Sequence, residues 1–283
     1  MKKKLLSITL ALLCLTMALP LIAHATEEDN PPITTEVTVS IINGTPVMAA
    51  ERITVTDTDG DGILTISDAL YCAHESKYQG GAATGYAAEP SQYGLSLVKL
   101  WGDDSGAYGY YLNNSSPLSL LDTVNSGDSV TAFIYQDTFG WSDAYSYFDK
   151  ETVTVKEGES VTLTLSYLTF DPETWAPIVN KAEGATVTVD GNDTLYTVDM
   201  EGNVTIDCEA AGTYLVSAHS DLNIVAPVCV VTVEKAPSVP STPSVDDPVN
   251  EPTSYGWAIA ICAAVICSAT AVAVAVSKKN SSR

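Results

Sequence analysis

Between Asp57 and Asp68 the chain reads Asp-Thr-Asp-Gly-Asp-Gly-Ile-Leu-Thr-Ile-Ser-Asp, with oxygen-bearing side chains at the spacing a hard divalent cation needs. Ca²⁺ takes about six to eight oxygen ligands at flexible geometry. A short loop delivers them when acids stand at its first, third and fifth positions and a glycine at the sixth makes the sharp turn. Asp57, Asp59 and Asp61 fill those acidic positions and Gly62 the sixth. The Ile63 carbonyl serves the seventh position, Thr65 the ninth, and Asp68 closes the loop with a shorter carboxylate than the glutamate usual there. The expected cofactor is therefore Ca²⁺, bound through Asp57, Asp59, Asp61, Ile63, Thr65 and Asp68. The alternative is a solvated Asp/Gly turn between two elements.

Catalytic groups at motif spacing are missing from the sequence. Apart from His24 near the N-terminus, the histidines are His74 and His219, neither with a partner at a recognised interval. There is no His-Glu-x-x-His, no Gly-x-Ser-x-Gly and no phosphate-cradling glycine loop followed by Lys-Ser/Thr. Asp103-Asp104 could serve as paired carboxylates of a hydrolase, but the turn-rich segment around them reads as a solvated charge run. Cys72 and His74 are two residues apart on an expected helix and so face different directions, which leaves Cys72 as a partly buried thiol. The chain is expected not to be an enzyme.

The two ends address the chain to a membrane. Lys2, Lys3 and Lys4 precede the apolar run Leu5 to Leu19, and Ala23-His24-Ala25 is a small-x-small cleavage site, so 1–25 reads as a secretory signal peptide. Tyr255 to Val276 is 22 residues without a charge. As a helix it would be about 33 Å long, enough for a hydrocarbon core of roughly 30 Å. With Lys278, Lys279 and Arg283 after it, a transmembrane helix over 254–277 with a cytoplasmic tail at 278–283 is expected, the rest facing outward. A buried core helix is the alternative. Apart from the six basic residues at the two ends, seven of the 13 Lys and Arg stand against 35 acids, so nucleic acid and anionic lipid surfaces are repelled. Outside the expected signal and span lie Cys72, Cys208 and Cys229. Cys208 and Cys229 fall in the same domain near strand segments and are expected to form a disulfide.

These groups need elements to hold them. Residues 26–35 read as a flexible, proline-containing leader. Val37, Val39 and Ile41, then Ile53 and Val55, alternate with polar residues as two strands leading into the loop. Ile66, Ala69, Leu70 and Ala73 share a helical face that ends before Gly80-Gly81. Residues 79–94 show no period and read as an excursion over the surface. Leu97–Trp101, Tyr108–Asn113 and Ser129–Tyr135 alternate again as strands. The loop is similar to EF-hand-like, dockerin-like calcium loops, with a strand rather than a helix leading in. The Asp68-Ala69-Leu70 helix opening, Gly109-Tyr110-Tyr111-Leu112-Asn113 and Val124-Asn125-Ser126-Gly127-Asp128 resemble the β-grasp module at the C-terminus of transcobalamin and intrinsic factor, also found in bacterial surface proteins. The resemblance covers roughly 36–150 and implies a β-grasp-like domain with one helix, and a cobamide as one ligand to consider.

From Thr152 onward about seven short strands follow, among them Val161/Leu163/Leu165, Val204/Ile206 and Tyr214/Val216/Ala218. This spacing reads as an antiparallel β-sandwich, and Ala211-Gly212-Thr213-Tyr214 resembles bacterial immunoglobulin-like domains over 151–235. Residues 236–253 are expected to form a proline-rich stalk. The fold class is thus α+β followed by all-β. Half of the chain's aromatic residues lie between Trp101 and Phe148. Alternation sends Tyr110 and Tyr111 to opposite faces, so a ligand surface is expected near Tyr111, Asn113, Trp141 and Tyr145. The alternative is that these rings pack the joint between the domains. The functional expectation is a membrane-anchored extracellular binding or adhesion protein of a Gram-positive bacterium, without enzymatic activity. The other readings are a small-ligand receptor component for a cobamide and, with least support, an extracellular hydrolase.

Overall fold

The computed structural model describes residues 33–236. The expected signal peptide, most of the leader and stalk, the transmembrane helix and the cytoplasmic tail lie outside the described residues. Among the described residues no helix is long and apolar enough to cross a membrane.

The described chain is mostly strand and builds two layered halves. The first is a four-stranded sheet in the order β2-β1-β6-β5, from β1 (Thr34–Asn43), β2 (Thr45–Thr56), β5 (Tyr108–Leu112) and β6 (Ser129–Ile134). The central pair β1–β6 is parallel and the two outer pairings are antiparallel. Helix α1 (Ile66–Lys77) lies on one face, burying Ile66, Ala69, Leu70 and Ala73 against Val37, Val39, Ile41, Val130, Ala132 and Ile134. The helix starts at Thr65 because a capping box forms there. The Thr65 hydroxyl accepts from the Asp68 amide, and the Asp68 carboxylate accepts from the Thr65 amide at 2.9 Å.

Alternation along the strands sends a second set of side chains to the opposite face, where Ile42, Tyr111 and Phe133 cluster with Tyr145, Leu168, Val225 and Val228. This second cluster joins the halves. Phe133 lies across Gly109, its partner on β5, so closely that a Cβ at Gly109 would stand 2.2 Å from the ring. Only glycine permits that approach.

The second half is a β-sandwich. One sheet is β12-β11-β14-β15-β8, from β8 (Thr152–Lys156), β11 (Thr186–Val189), β12 (Asn192–Thr197), β14 (Gly212–His219) and β15 (Cys229–Glu234). The other is organised on the long β9 (Glu159–Phe170), which pairs with β13 (Asn203–Cys208), β10 (Pro177–Lys181) and β7 (Ser146–Phe148). Phe148, Val161, Leu163, Leu165, Val187, Val204, Ile206, Val216 and Val231 fill the space between the sheets. Because β7 already pairs with β9, the chain joins the second sheet system shortly before the boundary expected at residue 150.

Two expectations are corrected. Residues 79–94 are not an irregular excursion: they hold the short helix α2 (Ala82–Gly85) and strand β3 (Ala87–Ser91), which pairs with β4 (Gly94–Lys99), and Tyr86 is buried in the first core. The segment is ordered by tertiary contacts, with the Ala82 amide donating to Glu75 and the Tyr86 hydroxyl bonded to that of Ser67. The Cys208–Cys229 disulfide does not form, and both residues are buried free thiols. Cys208 ends β13 beside the turn after β8, where its carbonyl accepts from the Gly158 amide. Cys229 opens β15 near the start of β8, since its neighbour Val230 pairs with Thr152. The length of β8 separates them, roughly 13 Å at about 3.3 Å per residue, whereas a disulfide needs Cα atoms within about 7 Å.

Candidate functional site

The acidic loop leaves β2 at Thr56 and is turned by two glycines in left-handed backbone conformations, Gly60 at φ 80° and Gly62 at φ 84°. A side chain at either position would strain the turn. With the backbone so curled, loop amides converge on Asp57. Its Oδ1 accepts from Gly60 at 2.7 Å and its Oδ2 from Gly62 at 2.8 Å, and Asp61 Oδ1 accepts from the Ile63 amide at 2.8 Å. Carboxylate oxygens of Asp57, Asp59 and Asp61 come within 4.8 Å of one another. Oxygens on opposite sides of a Ca²⁺ ion, each about 2.4 Å from it, are spaced on that scale. The donor set is entirely oxygen, which fits a hard cation.

The electrostatics follow from the crowding. Hydrogen bonds from Gly62 above all, then Gly60 and Asp61, hold the Asp57 carboxyl below the ordinary carboxylate value. Asp59 receives one such bond, from the Asp61 amide, but partial desolvation and the negative charges of Asp61, Asp68 and Asp57 outweigh it and push its pKa up. The Asp59 carboxylate is thus held against the charge of its neighbours, which a counter-cation would relieve.

Thr65 and Asp68 are used differently from the three clustered acids. Asp68 is 2% exposed, and its two oxygens are engaged at both ends of the loop. Oδ1 accepts from the Thr58 amide at 3.0 Å and from the Thr58 hydroxyl. Oδ2 accepts from the Thr65 amide at 2.9 Å and hydroxyl at 2.7 Å. Ile63 is half exposed and its side chain plays no part in the cluster. Thr58, which the sequence reading passed over, proves to be the residue that ties the start of the loop to the helix cap.

The aromatic residues expected to form a ligand surface divide. Tyr111 and Tyr145 are buried at 8% and 3% exposure and stack on each other with centroids 3.7 Å apart and planes 7° from parallel. The Tyr145 hydroxyl donates to Asn114 Oδ1 at 2.7 Å. Burial raises both phenol pKa values, that of Tyr111 to about 12. These two rings belong to the joint and are withdrawn from any ligand surface, a correction that follows from the second half covering the face of the sheet opposite α1. Asn113 is exposed with φ 51°, and its side chain bonds to Asp128 and to the Ser129 amide, closing a turn. Trp141 stays 61% exposed in the loop after β6. Tyr110 packs half-buried against the core under α1, so neither face of the sheet presents a free tyrosine.

The histidines serve structure. His74 is fully buried, its Nε2 accepting from the Trp101 amide at 2.9 Å and its Nδ1 bonded to the Leu70 carbonyl at 2.6 Å, and burial lowers its pKa. His219 meets Asp193 at the surface. Asp103 accepts from the Ser105 amide and hydroxyl within its own turn.

No family model matches the chain, and no curated protein matches it. Solved structures with a likeness include N-terminal four-immunoglobulin-domain fragments of Dscam1. Isoform 9.44 is 14% identical, covering 53% of this chain and 32% of that one, and isoform 4.44 is 11% identical, covering 73% and 47%; each has a TM-score of 0.21. The aligned region spans less than half the length of those chains. Superpositions this loose carry no assignment, and the two-sheet sandwich stands on its own strand order and core.

Proposed function

We propose that the chain is a non-enzymatic extracellular binding or adhesion protein, held at a membrane by the 254–277 span, in which Ca²⁺ stabilises the first half. The single observation that carries this reading is the convergence of Asp57, Asp59 and Asp61 on a glycine-turned loop that is hydrogen-bonded, through Thr58 and Asp68, to the start of α1. Those three carboxylates and the Ile63 carbonyl would hold the ion. Asp68 joins them only by exchanging one of its capping bonds, since all its lone-pair positions are already used. The ion supplies positive charge to a crowded acidic loop; the chain's own residues do the rest, fixing the loop to a helix whose buried face is part of the core. The parallel central pair flanked by antiparallel outer strands supports a β-grasp-like first half, and the two-sheet second half supports an immunoglobulin-like spacer. A receptor component for a small ligand such as a cobamide is the second reading, supported by the β-grasp resemblance alone.

Thermal melting of the full-length chain with Ca²⁺ and with EDTA tests the proposal. Extracellular calcium modules bind at about 10⁻⁴ to 10⁻³ M, and at tenfold excess over Kd the gain is about 1.4 kcal/mol. In a body of this size that is roughly 3–6 °C in Tm. Asp59→Ala should abolish the difference; an equal Tm with Ca²⁺ and EDTA in the wild type sinks the reading.

A further inference from the structure

Where the two halves meet, the turn after β5 and the β9–β10 hairpin enclose an open groove of about 630 Å³. Asn113, Asn114 and Ser116 come from the first half; Tyr147, Phe170 and Trp175 come from the second, over a floor that includes Leu168 and Val179. Its volume falls within the usual range of ligand sites, about 300–1,000 Å³. In a chain with a net charge of −22, none of the groove's lining residues is charged. The recess at the other end of the sandwich, by contrast, carries Asp207 and Glu209.

Two of the three aromatic residues are presented outward, while Tyr147 is half-buried against the joint. Trp175 is 76% exposed and Phe170 41%. Trp175 sits at φ 58°, a conformation bulky side chains rarely adopt, in a turn pinned by Asp171, whose carboxylate accepts from the Glu173 and Thr174 amides and whose carbonyl accepts from Trp175. Opposite, the Tyr145 hydroxyl fixes Asn114 by its Oδ1. Among the described residues the Asn114 Nδ2 has no hydrogen-bond partner, so the residue brings a free amide donor to the lining.

We propose that this groove binds a neutral oligosaccharide. Sugar rings offer apolar C–H faces that lie against aromatic rings and a periphery of hydroxyls that both donate and accept. The groove matches this pair of demands with Tyr147, Phe170 and Trp175 on one side and Asn114 with its Ser and Asn neighbours on the other. A purely hydrocarbon ligand would leave the amide and hydroxyl rim unpaired. An acidic or basic ligand would find no counter-charge in the lining. The inference rests on the binding-protein reading above and gives it a ligand class.

The test is calorimetry on the full-length chain with cellohexaose, chitohexaose and a heparin hexasaccharide, together with Trp175→Ala, Asn114→Ala and Trp141→Ala. Binding of at least one neutral hexasaccharide below about 1 mM is expected, weakened roughly tenfold by Trp175→Ala and by Asn114→Ala and unchanged by Trp141→Ala. The two neutral probes distinguish a glucan from an amino-sugar glycan. The proposal is overturned if neither neutral probe binds, if only heparin binds, if Trp175→Ala leaves affinity intact in a chain of unchanged Tm, or if Trp175 instead proves necessary for self-association. Melting with and without Ca²⁺ in the same samples keeps the two readings apart, because loss of the calcium shift with glycan binding retained fails only the calcium reading.

Discussion

Truncating Tyr145 to alanine separates a joint from a ligand surface. The ring is 3% exposed, lies 3.7 Å from Tyr111 in a parallel stack, and has further aromatic neighbours in Phe133 and Tyr147 at 6.1 and 5.8 Å. Removing a buried aromatic side chain costs about 3–5 kcal/mol through lost transfer and the cavity left behind. About 1 kcal/mol more goes with the hydroxyl that donates to Asn114, the part Tyr145→Phe measures alone. A loss of about 4 kcal/mol corresponds to roughly 8–16 °C in Tm for a body of this size. Tyr111→Ala should have a comparable effect. The double variant should fall short of the sum, because the stack itself, about 0.5–1.5 kcal/mol, can be lost only once. Trp141→Ala, at an exposed position, should shift stability by no more than about 0.5 kcal/mol. Differential scanning calorimetry on the wild type and these five variants decides. If Tyr145→Ala melts within a degree or two of the wild type, the stacked pair does not hold the halves together and the account of the joint is wrong.

Three further outcomes are expected from the same packing. Burial raises the Glu151 pKa against the opposing hydrogen bond from Ser129, so the folded state holds its proton more tightly than the unfolded chain. This contribution favours folding below the unfolded value and turns unfavourable as pH rises through the folded one. Glu151→Gln should therefore raise Tm relative to the wild type more at pH 7 than at pH 4, and an equal difference at both would refute it. Gly109→Ala should destabilise by about 1–3 kcal/mol in denaturant titrations, since the added methyl meets Phe133 at a distance the ring cannot tolerate without moving. Alkylation of the unfolded chain without reductant should modify both Cys208 and Cys229, and a linked peptide in the non-reduced digest would contradict their placement at opposite ends of the sandwich.

The legible parts of the fold were those with a face to bury. Val37, Val39 and Ile41 alternate because α1 covers one side of β1, and Ile66, Ala69, Leu70 and Ala73 recur at helical spacing because the same core lies beneath them. Strand β10 went unseen because its Ile178 and Val179 are both exposed and leave no period to read. Helix α2 and strand β3 are set by contacts from elsewhere, such as the Tyr78 ring that lies 2.5 Å from where a Gly85 Cβ would stand. Alternation did place Tyr110 and Tyr111 on opposite faces. That the face opposite α1 would also be covered depended on how the second half docks, which no local pattern carries. The cysteines illustrate the same limit, since closeness in one sandwich says nothing of position along its strands. In the acidic loop the spacing of Asp57, Asp59 and Asp61 survived into three dimensions, while the capping duty of Asp68 became evident only when its four donors were seen.

That duty bears on why an ion at an exposed loop would stabilise anything at all. A surface ion pair is worth little when its partners are free to move, because ordering them offsets the attraction. Here the loop is not free: Asp68 holds Thr58 at its start and Thr65 at its end, and Thr65 begins a helix whose next residue, Ile66, is fully buried. Ordering residues 57–62 therefore acts on the cap, and through the cap on the helix that covers the sheet. The coupling has a direction that can be checked by hydrogen exchange. If the proposed ion binds, protection should rise at the first-turn amides of α1 as well as in the loop, and Thr58→Val, which removes one of the two loop-side donors to Asp68, should reduce that transmitted gain while leaving the three clustered carboxylates in place. Protection confined to the loop in both proteins would mean that the acids bind cation without stabilising the module.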